Sequence, residues 1–567
     1  MIRRRLDSYL LILKILISSK TKFLLILLLS MLSAICSGLS IGLIIPLLGG
    51  NDREIFNNTF FKFLDNFINI QFSGDFSQKI IEITLFIILL SILELLLSIT
   101  IVRIATKYEV ETVVNYIDSV FSKINKTEYK EIYEYNSGEI FTIISVDIFN
   151  FSNLIRKGLL IFQPVILLLI FITVMFSVSP SLTFISIVFF IIVSIIIAGL
   201  IGRKAKDINT RLSLDFVKNN SKLNTFLDNF KNIRSIGIEI DETEKMKKSY
   251  KELVENRRHY ANLLSYSTPV NNFINIFAIS FLLLISAYIF RRQSESWTIL
   301  LIPFLVLLFK LLPMITSINS YRVLVESMYP FVLRLQNFIN KKNDNEDGSQ
   351  NFIFQQAIKF ENVNFGFGKK EVLNDVSFEI NRGDVVGIIG ETGAGKSTLV
   401  DLILKIFKKD SGNILIDGVE IENIKNISIQ DSISFLPQNI YMASDTIEKN
   451  INLYKNLQNE KNLLGLDTFY SEKNKDDHFG FGGINLSGGQ KQKINIVRTL
   501  TKDSKFLILD EPTNNLDRES ISEIEEIIKN KEKDKTFLII SHDQSFINNV
   551  SSKIFYIKNG TLFETGS

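Results

Sequence analysis

Six apolar segments, each about as long as a membrane span, occupy roughly the first 320 residues of the chain. A hydrocarbon core of about 30 Å requires about 20 helical residues at about 1.5 Å each. The abundance of Phe, Ile and Leu in these segments suits helices that face lipid. The sequence therefore predicts six transmembrane helices, at about residues 23–48, 80–101, 159–178, 182–201, 272–290 and 297–315.

Basic residues between the spans predict the side of the membrane on which each loop lies. Residues 102–157 contain seven Lys or Arg, residues 202–271 contain more, and the short connection at residues 179–181 carries no charge. Because basic loops stay in the cytoplasm, both long loops and both ends of the chain are expected there. The loops are too long for simple connections, so we expect the spans to continue as helical rods beyond the bilayer.

Two charged residues inside the predicted spans are candidate functional groups. Glu94 lies in the middle of the second span, where a carboxylate is costly. It is either a functional group or a protonated or hydrogen-bonded packing residue. Lys310 lies in the sixth span, three residues before Pro313. It either binds an anionic substrate group in a cavity or extends towards the cytoplasmic interface.

Composition limits the chemistry of the chain and marks a boundary. A single cysteine, Cys36, excludes an intrachain disulfide and a multi-cysteine metal site, and three histidines argue against a His-rich zinc centre. The net charge of +3 gives no reason to expect a nucleic-acid partner. The polar stretch at residues 341–350 predicts a linker between a transmembrane domain, residues 1–340, and a soluble domain, residues 351–567.

The soluble part contains a strand, a glycine-rich loop and a helix in the order that binds a nucleotide phosphate. Glycine backbone N–H groups turn inward around the phosphate, and the N-terminus of the helix adds its dipole. Lys396 is expected to contact the β- and γ-phosphates, and Ser397 to bind Mg²⁺. The loop between the predicted strand 385–389 and helix 399–407 consists of Gly390, Glu391, Thr392, Gly393, Ala394, Gly395, Lys396, Ser397 and Thr398.

Two later strands end in acidic residues and a histidine. The strand at residues 506–509 is followed by Asp510 and Glu511. Asp510 is expected to order the magnesium shell, and Glu511 to orient or deprotonate the attacking water. The strand at residues 536–540 is followed by Ser541 and His542, which places the histidine where it can hydrogen-bond the γ-phosphate. These residues predict hydrolysis of a nucleoside triphosphate.

The pentapeptide Leu486–Gln490 (LSGGQ), taken with the phosphate loop, resembles the signature of ATP-binding cassette (ABC) proteins. The resemblance extends over essentially the whole chain, because six spans followed by one cassette look like a half-transporter of the ABC exporter type. It implies an α-helical six-span transmembrane domain of the ABC exporter type, followed by an α/β P-loop nucleotide-binding domain. It also implies ATP and Mg²⁺ as the bound cofactors and ATP hydrolysis coupled to transport.

The resemblance carries roles over to further residues. Phe367 matches the aromatic residue that stacks on adenine, and Gln438 matches the glutamine that senses Mg²⁺ and contacts the membrane half. Asp517 matches the acid of the loop that crosses the dimer interface. In the family, Asp510 corresponds to the magnesium-site acid, Glu511 to the catalytic base and His542 to the switch histidine.

The signature also implies the assembly. In this family the Ser and Gly backbone of one cassette binds the γ-phosphate held by the P-loop of the other, so two cassettes enclose two ATP molecules. One chain carries one cassette, so the resemblance implies a dimer. A homodimer is the simplest assembly, and a heterodimer with another half-transporter is the alternative. The signature residues that would contact the partner's ATP are Ser487, Gly488, Gly489 and Gln490.

Three departures from the family pattern concern signalling between domains. Residues 514–517 read Asn-Asn-Leu-Asp where the family usually has Ser-Ala-Leu-Asp. The segment before the signature, at residues 478–483, lacks the usual acidic residue, and the stretch from 438 to 486 is short for an exporter. The residues that match the hydrolytic machinery are all present. By resemblance, short coupling helices are expected near residues 133–139 and 225–230.

The cargo is predicted by two short patterns. Residues 40–46 and 310–313 are similar to exporters that handle lipid-linked oligosaccharides or glycolipids. They favour an amphipathic or lipid-linked substrate, namely a lipid-linked oligosaccharide, a polysaccharide precursor or a glycolipid, that is exported or flipped. A peptide exporter, a multidrug or lipid exporter, and an ATP-gated membrane regulator are the alternatives. Residue usage rich in Lys, Asn and Ile predicts a multi-pass protein of the bacterial cytoplasmic (inner) membrane, with the cassette in the cytoplasm.

Overall fold

The computed structural model describes residues 20–48, 76–135, 137–197, 203–289, 296–341, 347–368, 370–453, 486–531 and 535–564. Contacts divide the chain into two compact units. The first contains Met1–Asn125 and Tyr135–Lys342, and the second contains Lys126–Glu134 and Asn343–Ser567. The second unit therefore includes one short loop helix besides the soluble region. The predicted segments at residues 198–201, 342–346 and 478–483 lie outside the described residues.

The first unit is helical throughout its described part. Two of its helices are far longer than the 20 or so residues that a bilayer requires, α2 with 51 residues and α12 with 45. In chain order its helices are α1 (Lys20–Leu48), α2 (Phe76–Lys126), α4 (Ser137–Thr142), α5 (Ile148–Leu160), α6 (Phe162–Val178), α7 (Pro180–Ile197), α8 (Arg203–Asp228), α9 (Phe230–Ile236), α10 (Glu239–Ser265), α11 (Ser267–Ile289) and α12 (Ser296–Asn340); α3 (Tyr129–Glu134) belongs to the second unit.

Several helices are long and apolar enough to cross a membrane. Among the described residues these stretches are Lys20–Leu43, Ile83–Lys126, Gly138–Phe176 and Phe304–Asn340, and Pro180–Ile192 is a shorter apolar helix. The six predicted spans fall on α1, α2, α6, α7, α11 and α12. Near the predicted coupling helices, α3 ends at Glu134, and a break at Asn229 separates α8 from α9.

Small and polar side chains join α1, α2 and α6. A methyl group added at Gly38 of α1 would lie 3.0 Å from the side chain of Ile170 on α6, so the two backbones approach closely. The amide Nε2 of Gln163 donates to the hydroxyl oxygens of Ser33 at 2.8 Å and Ser98 at 2.9 Å. Close packing of small residues and hydrogen bonds between helices are what hold helices together in lipid.

A π-helical turn, Ile143–Asp147, lies between α4 and α5. It carries Asp147, whose side chain is fully buried and ion-paired with Arg334 of α12. The same guanidinium donates from Nη1 to the backbone oxygen of Ser213 on α8, at 3.0 Å. Single π-turns occur often at functional positions of helices. This one connects three helices through a single arginine.

The second unit contains two sheets. An antiparallel sheet has the order β2-β1-β4-β5, and a mainly parallel sheet has the order β10-β9-β3-β8-β7-β6. The strands are β1 (Ala357–Phe367), β2 (Lys370–Asn381), β3 (Val385–Gly390), β4 (Ser411–Ile416), β5 (Val419–Glu420), β6 (Ile433–Leu436), β7 (Phe506–Asp510), β8 (Thr536–Ile540), β9 (Lys553–Lys558) and β10 (Thr561–Glu564).

The described part of the second unit also contains α-helices. They are α13 (Lys396–Ile403), α14 (Asn426–Ser432), α15 (Ile447–Asn452), α16 (Gly488–Thr501), α17 (Arg518–Lys531) and α18 (Gln544–Val550), together with the loop helix α3. All residues of β7 and β8 are buried, as expected for parallel strands with both faces covered. Asp510 pairs in register with Ile540, and Ile540 with Ile388. The carboxyl ends of β3, β7 and β8 therefore meet at one edge, where open α/β sheets bind ligands.

Candidate nucleotide site of the cassette

The loop after β3 has the backbone geometry of a phosphate-binding turn. Gly395 has a φ of +107°, which favours glycine, and a methyl group there would lie 2.8 Å from the side chain of Leu373. Lys396, the first residue of α13, folds its side chain back over the loop. Its Nζ donates to the backbone oxygens of Gly390 at 2.7 Å and Glu391 at 3.0 Å. The cation and the N-terminus of α13 thus lie at one place.

Ser397 and Asp510 lie together beneath this loop. The hydroxyl of Ser397 donates to Oδ2 of Asp510 at 3.2 Å. Burial, with the charge of Glu511 as a smaller contribution, raises the pKa of Asp510 to about 6, although the Ser397 hydrogen bond opposes the rise. Burial and the charge of Asp510 likewise raise the pKa of Asp401 to about 6. Clustered buried carboxyls favour a cation among them.

The donor set suits Mg²⁺ held jointly with phosphate. Among the residues that the structure describes, no group of three or more His, Cys, Asp or Glu is placed to hold a metal ion. Mg²⁺ is usually bound by one or two carboxylates, waters and substrate phosphates rather than by an all-protein cage. One hydroxyl from Ser397 and one carboxylate from Asp510 fit that coordination.

Glu511 follows Asp510 in a left-handed backbone conformation, with a φ of +53°. Its side chain is buried, and its Oε2 lies 2.7 Å from Nδ1 of His542. The same oxygen accepts hydrogen bonds of 3.3 Å from the backbone N–H of His542 and the hydroxyl of Ser541. Nε2 of Gln492 donates to the backbone oxygen of Glu511 at 3.3 Å. The carboxylate is therefore held in one orientation at the edge of the sheet, as a general base requires.

Phe367 ends β1 and leaves its ring 42% exposed. It meets two other rings edge-on, Phe365 at 5.1 Å and Phe407 at 5.3 Å between centroids. Phe407 also contacts Tyr129 of the loop helix α3, at 5.9 Å. An exposed ring that is fixed by edge contacts is suited to stacking on a nucleotide base.

The signature residues form the N-terminus of α16. Ser487 Oγ accepts from the backbone N–H of Gln490 at 3.2 Å, and Gln490 Oε1 accepts from the N–H of Ser487 at 2.9 Å, which is a capping box. A methyl group at Gly489 would lie 2.7 Å from the backbone oxygen of Asn515, and one at Gly488 would lie 3.4 Å from its side chain. The signature turn therefore rests on the Asn515 loop.

Asp517 and Gln438 occupy the ends of neighbouring elements. Oδ1 of Asp517 accepts from the backbone N–H of Ser520 at 2.8 Å and so caps α17, and hydrogen bonding from Ser520 lowers the pKa of Asp517. Lys493 of α16 lies 3.8 Å from Oδ2 of Asp517. Gln438 is exposed, two residues after β6. The structure thus brings Ser397 to Asp510 and Glu511 to His542. It places Ser487, Gly488 and Gly489 in a second cluster with the loop at Asn515.

Sequence reasoning did not single out four residues that hold these groups. Ser541 and Gln492 donate hydrogen bonds to Glu511, and Asn515 lies against the signature glycines. The charge of Asp510 raises the pKa of the fourth residue, Asp401. Ser541 and Asn515 lie within two residues of predicted site residues, His542 and Asp517, so their positions in the sequence could have indicated a role at the site. Gln492 and Asp401 give none, because their proximity arises from the packing of α16 and α13 against the sheet.

Fold and site together define a P-loop ATPase joined to a membrane-spanning helical unit. The ABC transporter transmembrane region matches residues 23–312, and the ABC transporter cassette matches residues 373–514. The chain therefore belongs to the ABC transporter family, as a half-transporter of the exporter type. The predictions of this family, of its fold class and of ATP hydrolysis coupled to transport are confirmed.

Individual relatives agree with this assignment. A protein of Bacillus subtilis (strain 168) named for multidrug export, the ATP-binding/permease protein YgaD, is 28% identical over 463 residues, 79% of each chain. An ATP-dependent lipid A-core flippase of Photorhabdus laumondii is 27% identical over 406 residues, 69% of each chain. The structure of a bacterial Atm1-family ABC exporter with ATP bound matches 96% of this chain and 95% of that one, with a TM-score of 0.81 and 19% identity. It shares the fold.

Proposed function

We propose that two copies of this chain form a homodimer that hydrolyses two ATP molecules and uses the energy to export or flip a lipid-linked oligosaccharide, polysaccharide precursor or glycolipid. The observation that carries the proposal is the pairing of an intact phosphate loop with an exposed signature turn at Ser487 and Gly488. N–H groups at the N-terminus of α16 suit a phosphate oxygen. One chain holds one such turn and one such loop.

Within each ATP site we assign the roles as follows. Lys396 binds the β- and γ-phosphates, Ser397 and Asp510 hold Mg²⁺, and Glu511 accepts the proton of the attacking water. His542 contacts the γ-phosphate from the position where it now bonds Glu511. Gln438 completes the Mg²⁺ shell, and Phe367 stacks on adenine. The remaining loop residues from Gly390 to Thr398 surround the phosphates through their backbone N–H groups.

The dimer supplies the other half of each site. The γ-phosphate held by one copy is contacted by signature residues of the other, namely Ser487, Gly488, Gly489 and Gln490. Asp517 lies in the loop that crosses the interface between the two cassettes. Hydrolysis removes the shared phosphate contacts, so the cassettes separate, and the long helices α2 and α12 transmit the movement to the membrane. The cassettes and both termini lie in the cytoplasm of a bacterium, with the spans in its inner membrane.

The cargo assignment is supported by relatives that are named lipid A-core flippases and by the intramembrane patterns of α1 and α12. Multidrug export is the second candidate, because another relative is named for it. The discriminating experiment measures ATP hydrolysis of the purified chain in liposomes with a panel of lipid-linked glycans, glycolipids, hydrophobic drugs and peptides. Stimulation by lipid-linked glycans or glycolipids supports the proposal, and stimulation by drugs or peptides alone contradicts it.

The shared-site dimer has its own test. One chain carries Lys396→Ala and the other carries Ser487→Arg, and the two chains have different affinity tags. Both also carry Glu511→Gln, so that bound ATP is not hydrolysed. The chains are co-expressed, and mixed dimers are purified on both tags in succession. If each site combines a P-loop and a signature from different copies, the mixed dimer keeps one intact site and one site with both defects. We expect one trapped ATP per mixed dimer and none for dimers of either variant alone. No trapped ATP in the mixed dimer contradicts the arrangement.

A further inference from the structure

Two cavities lie beside helix α12 in the part of the transmembrane unit that the structure describes. One, about 370 Å³, lies between α6, α7 and α12 and is called the apolar cavity; its wall includes Met175, Phe190, Leu311, Ile315, Asn319 and Arg322. The other, about 660 Å³, lies between α6 and α12, reaches the end of α5 and is called the polar cavity; its wall includes Lys157, Gln163, Thr316, Ser317, Asn319 and Ser320. Both volumes lie within the usual range of small-molecule sites.

The apolar cavity is lined mainly by aliphatic and aromatic side chains and has a cation at one end. Leu311, Ile315 and Ile318 follow one face of α12 at spacings of three and four residues, and Arg322 continues the same face. This face is about 16 Å long from Leu311 to Arg322. The hydroxyl group of Thr183, a further wall residue, donates to the backbone oxygen of Ser179, so it adds little polarity. The guanidinium is the charged group of this cavity.

Arg322 keeps donors for a ligand. Its Nε lies 4.0 Å from Oε1 of Glu326, and its side chain is 35% exposed. A guanidinium carries five N–H donors, and this long contact leaves most of them for an anion. Its planar fork also suits bidentate binding of phosphate.

The polar cavity has the opposite character. Lys157 is exposed, and among the described residues no carboxylate forms an ion pair with it. Thr316 and Ser317 donate to the backbone oxygens of Leu312 and Pro313, so each hydroxyl oxygen can accept a hydrogen bond. Hydroxyls, an amide and a cation suit a head group that carries hydroxyls and negative charge. The two cavities share Asn319 as a wall residue.

Lys310, the cation that the sequence singled out in the sixth span, lines neither cavity. It lies on the exposed side of α12, near Phe309, which is 68% exposed. Lys310 therefore serves as a matched control for Arg322, twelve residues further along the same helix.

We propose that the apolar cavity binds the hydrocarbon chain of the cargo, and that Arg322 in its wall and Lys157 in the wall of the polar cavity bind its anionic head group. The ligand class is a single-chain or isoprenoid-like amphiphile whose head carries a phosphate or pyrophosphate, with attached hydroxyl groups in the polar cavity. This inference rests on the proposed transport function and names the site and the charge of its cargo. Apolar walls supply affinity, and the few cations supply specificity.

The first test measures binding of two probes with the same tail, dodecyl phosphate and dodecanol. The full chain is placed in nanodiscs of phosphatidylcholine, and titration calorimetry gives each dissociation constant. Because a hydrogen bond to a charged group is lost, Arg322→Gln should weaken dodecyl phosphate binding by at least about tenfold and leave dodecanol binding unchanged. Arg322→Lys should restore most of the affinity. Lys157→Gln should act in the same direction, and Lys310→Gln should change neither dissociation constant.

The second test fills the apolar cavity without touching its charge. Thr183, buried in the cavity wall, and Thr173, exposed on α6, each donate from Oγ1 to a backbone oxygen four residues earlier at 2.7 Å. Thr183→Phe should weaken both probes by about tenfold, since its ring occupies the tail space. Thr173→Phe should weaken neither. This pair keeps the proposal testable if Arg322→Gln folds poorly.

Three results of these binding measurements would contradict the proposed cargo site. Equal loss of both probes in Arg322→Gln, a loss in Lys310→Gln instead, or equal effects of the two Phe variants would each place the head group or the tail elsewhere. The failures of the two proposals are separable. If ATP-driven transport of some cargo is observed while dodecyl phosphate does not bind, the cargo site is wrong and the transporter assignment stands. If dodecyl phosphate binds as expected but Glu511→Gln leaves flux unchanged, the ATP-driven mechanism is wrong.

Discussion

Arg334 donates from Nε and Nη2 to the two carboxylate oxygens of Asp147, at 2.6 Å each, across 187 residues of chain. The aspartate side chain is fully buried, and that of the arginine is 13% exposed. Such a pair stabilises only while both partners remain, because a lone charge left in this place loses its compensation. The π-turn at residues 143–147 holds the carboxylate where α12 can reach it.

Removal of Arg334 should destabilise the membrane unit strongly. We expect Arg334→Met to lower the free energy of unfolding by about 3–5 kcal/mol, because it strands the Asp147 charge. The double variant Asp147→Leu/Arg334→Met should recover most of the loss. Thermal unfolding in detergent measures both.

The exposed pair Lys247 and Glu244 is the control for Arg334. Their nitrogen and oxygen lie 2.7 Å apart, but both side chains are about two-thirds exposed. Lys247→Met should therefore change stability by less than about 1 kcal/mol. An Arg334→Met effect as small as that of Lys247→Met would contradict the buried-pair interpretation.

Hydrolysis should depend on Glu511. We expect Glu511→Gln to reduce steady-state ATP hydrolysis by about 10²–10⁴-fold, because the general base is lost. The amide oxygen still accepts from Ser541 and His542, so the ATP dissociation constant should change little. The rate of phosphate release measures the loss of hydrolysis, and equilibrium ATP binding measures the dissociation constant. Glu519→Gln, at an exposed position of α17, should affect neither.

The change of Mg²⁺ affinity with pH should reflect the raised pKa of Asp510. Mg²⁺ competes with the proton of this carboxyl, so the apparent affinity for Mg²⁺ should fall about tenfold for each pH unit below about 6. Asp401→Asn removes a neighbouring negative charge and should shift this profile to lower pH. The exposed Asp503→Asn should leave it in place. A profile that Asp401→Asn does not move would contradict the coupling of the two carboxyls.

The same pKa sets the sign of a stability effect without Mg²⁺. A carboxyl with a raised pKa binds its proton more tightly in the folded protein than in the unfolded chain. Its contribution to the free energy of unfolding is therefore present at low pH and is lost as the pH rises through about 6. Asp510→Asn should remove the contribution of Asp510 to this dependence, while Asp401, whose pKa is also raised to about 6, keeps its own contribution.

Base recognition should depend on Phe367. Stacking on one base is worth about 1–3 kcal/mol, so Phe367→Ala should weaken ATP binding by about 5- to 150-fold. Phe367→Trp should retain it. Inorganic tripolyphosphate, which has no base, should bind equally to all three proteins. Phe563→Ala on β10 is the control, because that ring is also exposed, at 56%, and lies outside the proposed site.

Local motifs account for most of the residues of the proposed ATP site. The loop from Gly390 to Thr398 and the acids at the end of β7 are encoded within a few residues, and a buried strand fixes where each of them lies. The strand ends of β3, β7 and β8 then meet because parallel strands align. The family, the fold class and the ATPase activity followed from those short patterns.

Contacts between distant parts of the chain were not predictable in the same way. Nothing near Asp147 in the sequence points to Arg334, because the pair forms only when α12 packs against the π-turn. Lys310 is a candidate for anion binding by composition, and the apolar cavity lies on the side of α12 that carries Arg322. Helix rotation decides which cation meets a cavity, and an apolar span gives too little periodicity to reveal it.

The hydrogen bonds from Lys396 to the backbone of its own loop have a consequence for nucleotide exchange. The ammonium group has two peptide oxygens as acceptors, and the phosphate oxygens of a triphosphate would compete with them for the same N–H donors. When nucleotide binds, phosphate oxygens replace these peptide oxygens as acceptors of the Lys396 ammonium group, and when nucleotide leaves, the exchange is reversed. The net gain of the lysine on binding is therefore smaller than its full attraction for phosphate, and a smaller gain favours release of the spent nucleotide and the start of another cycle.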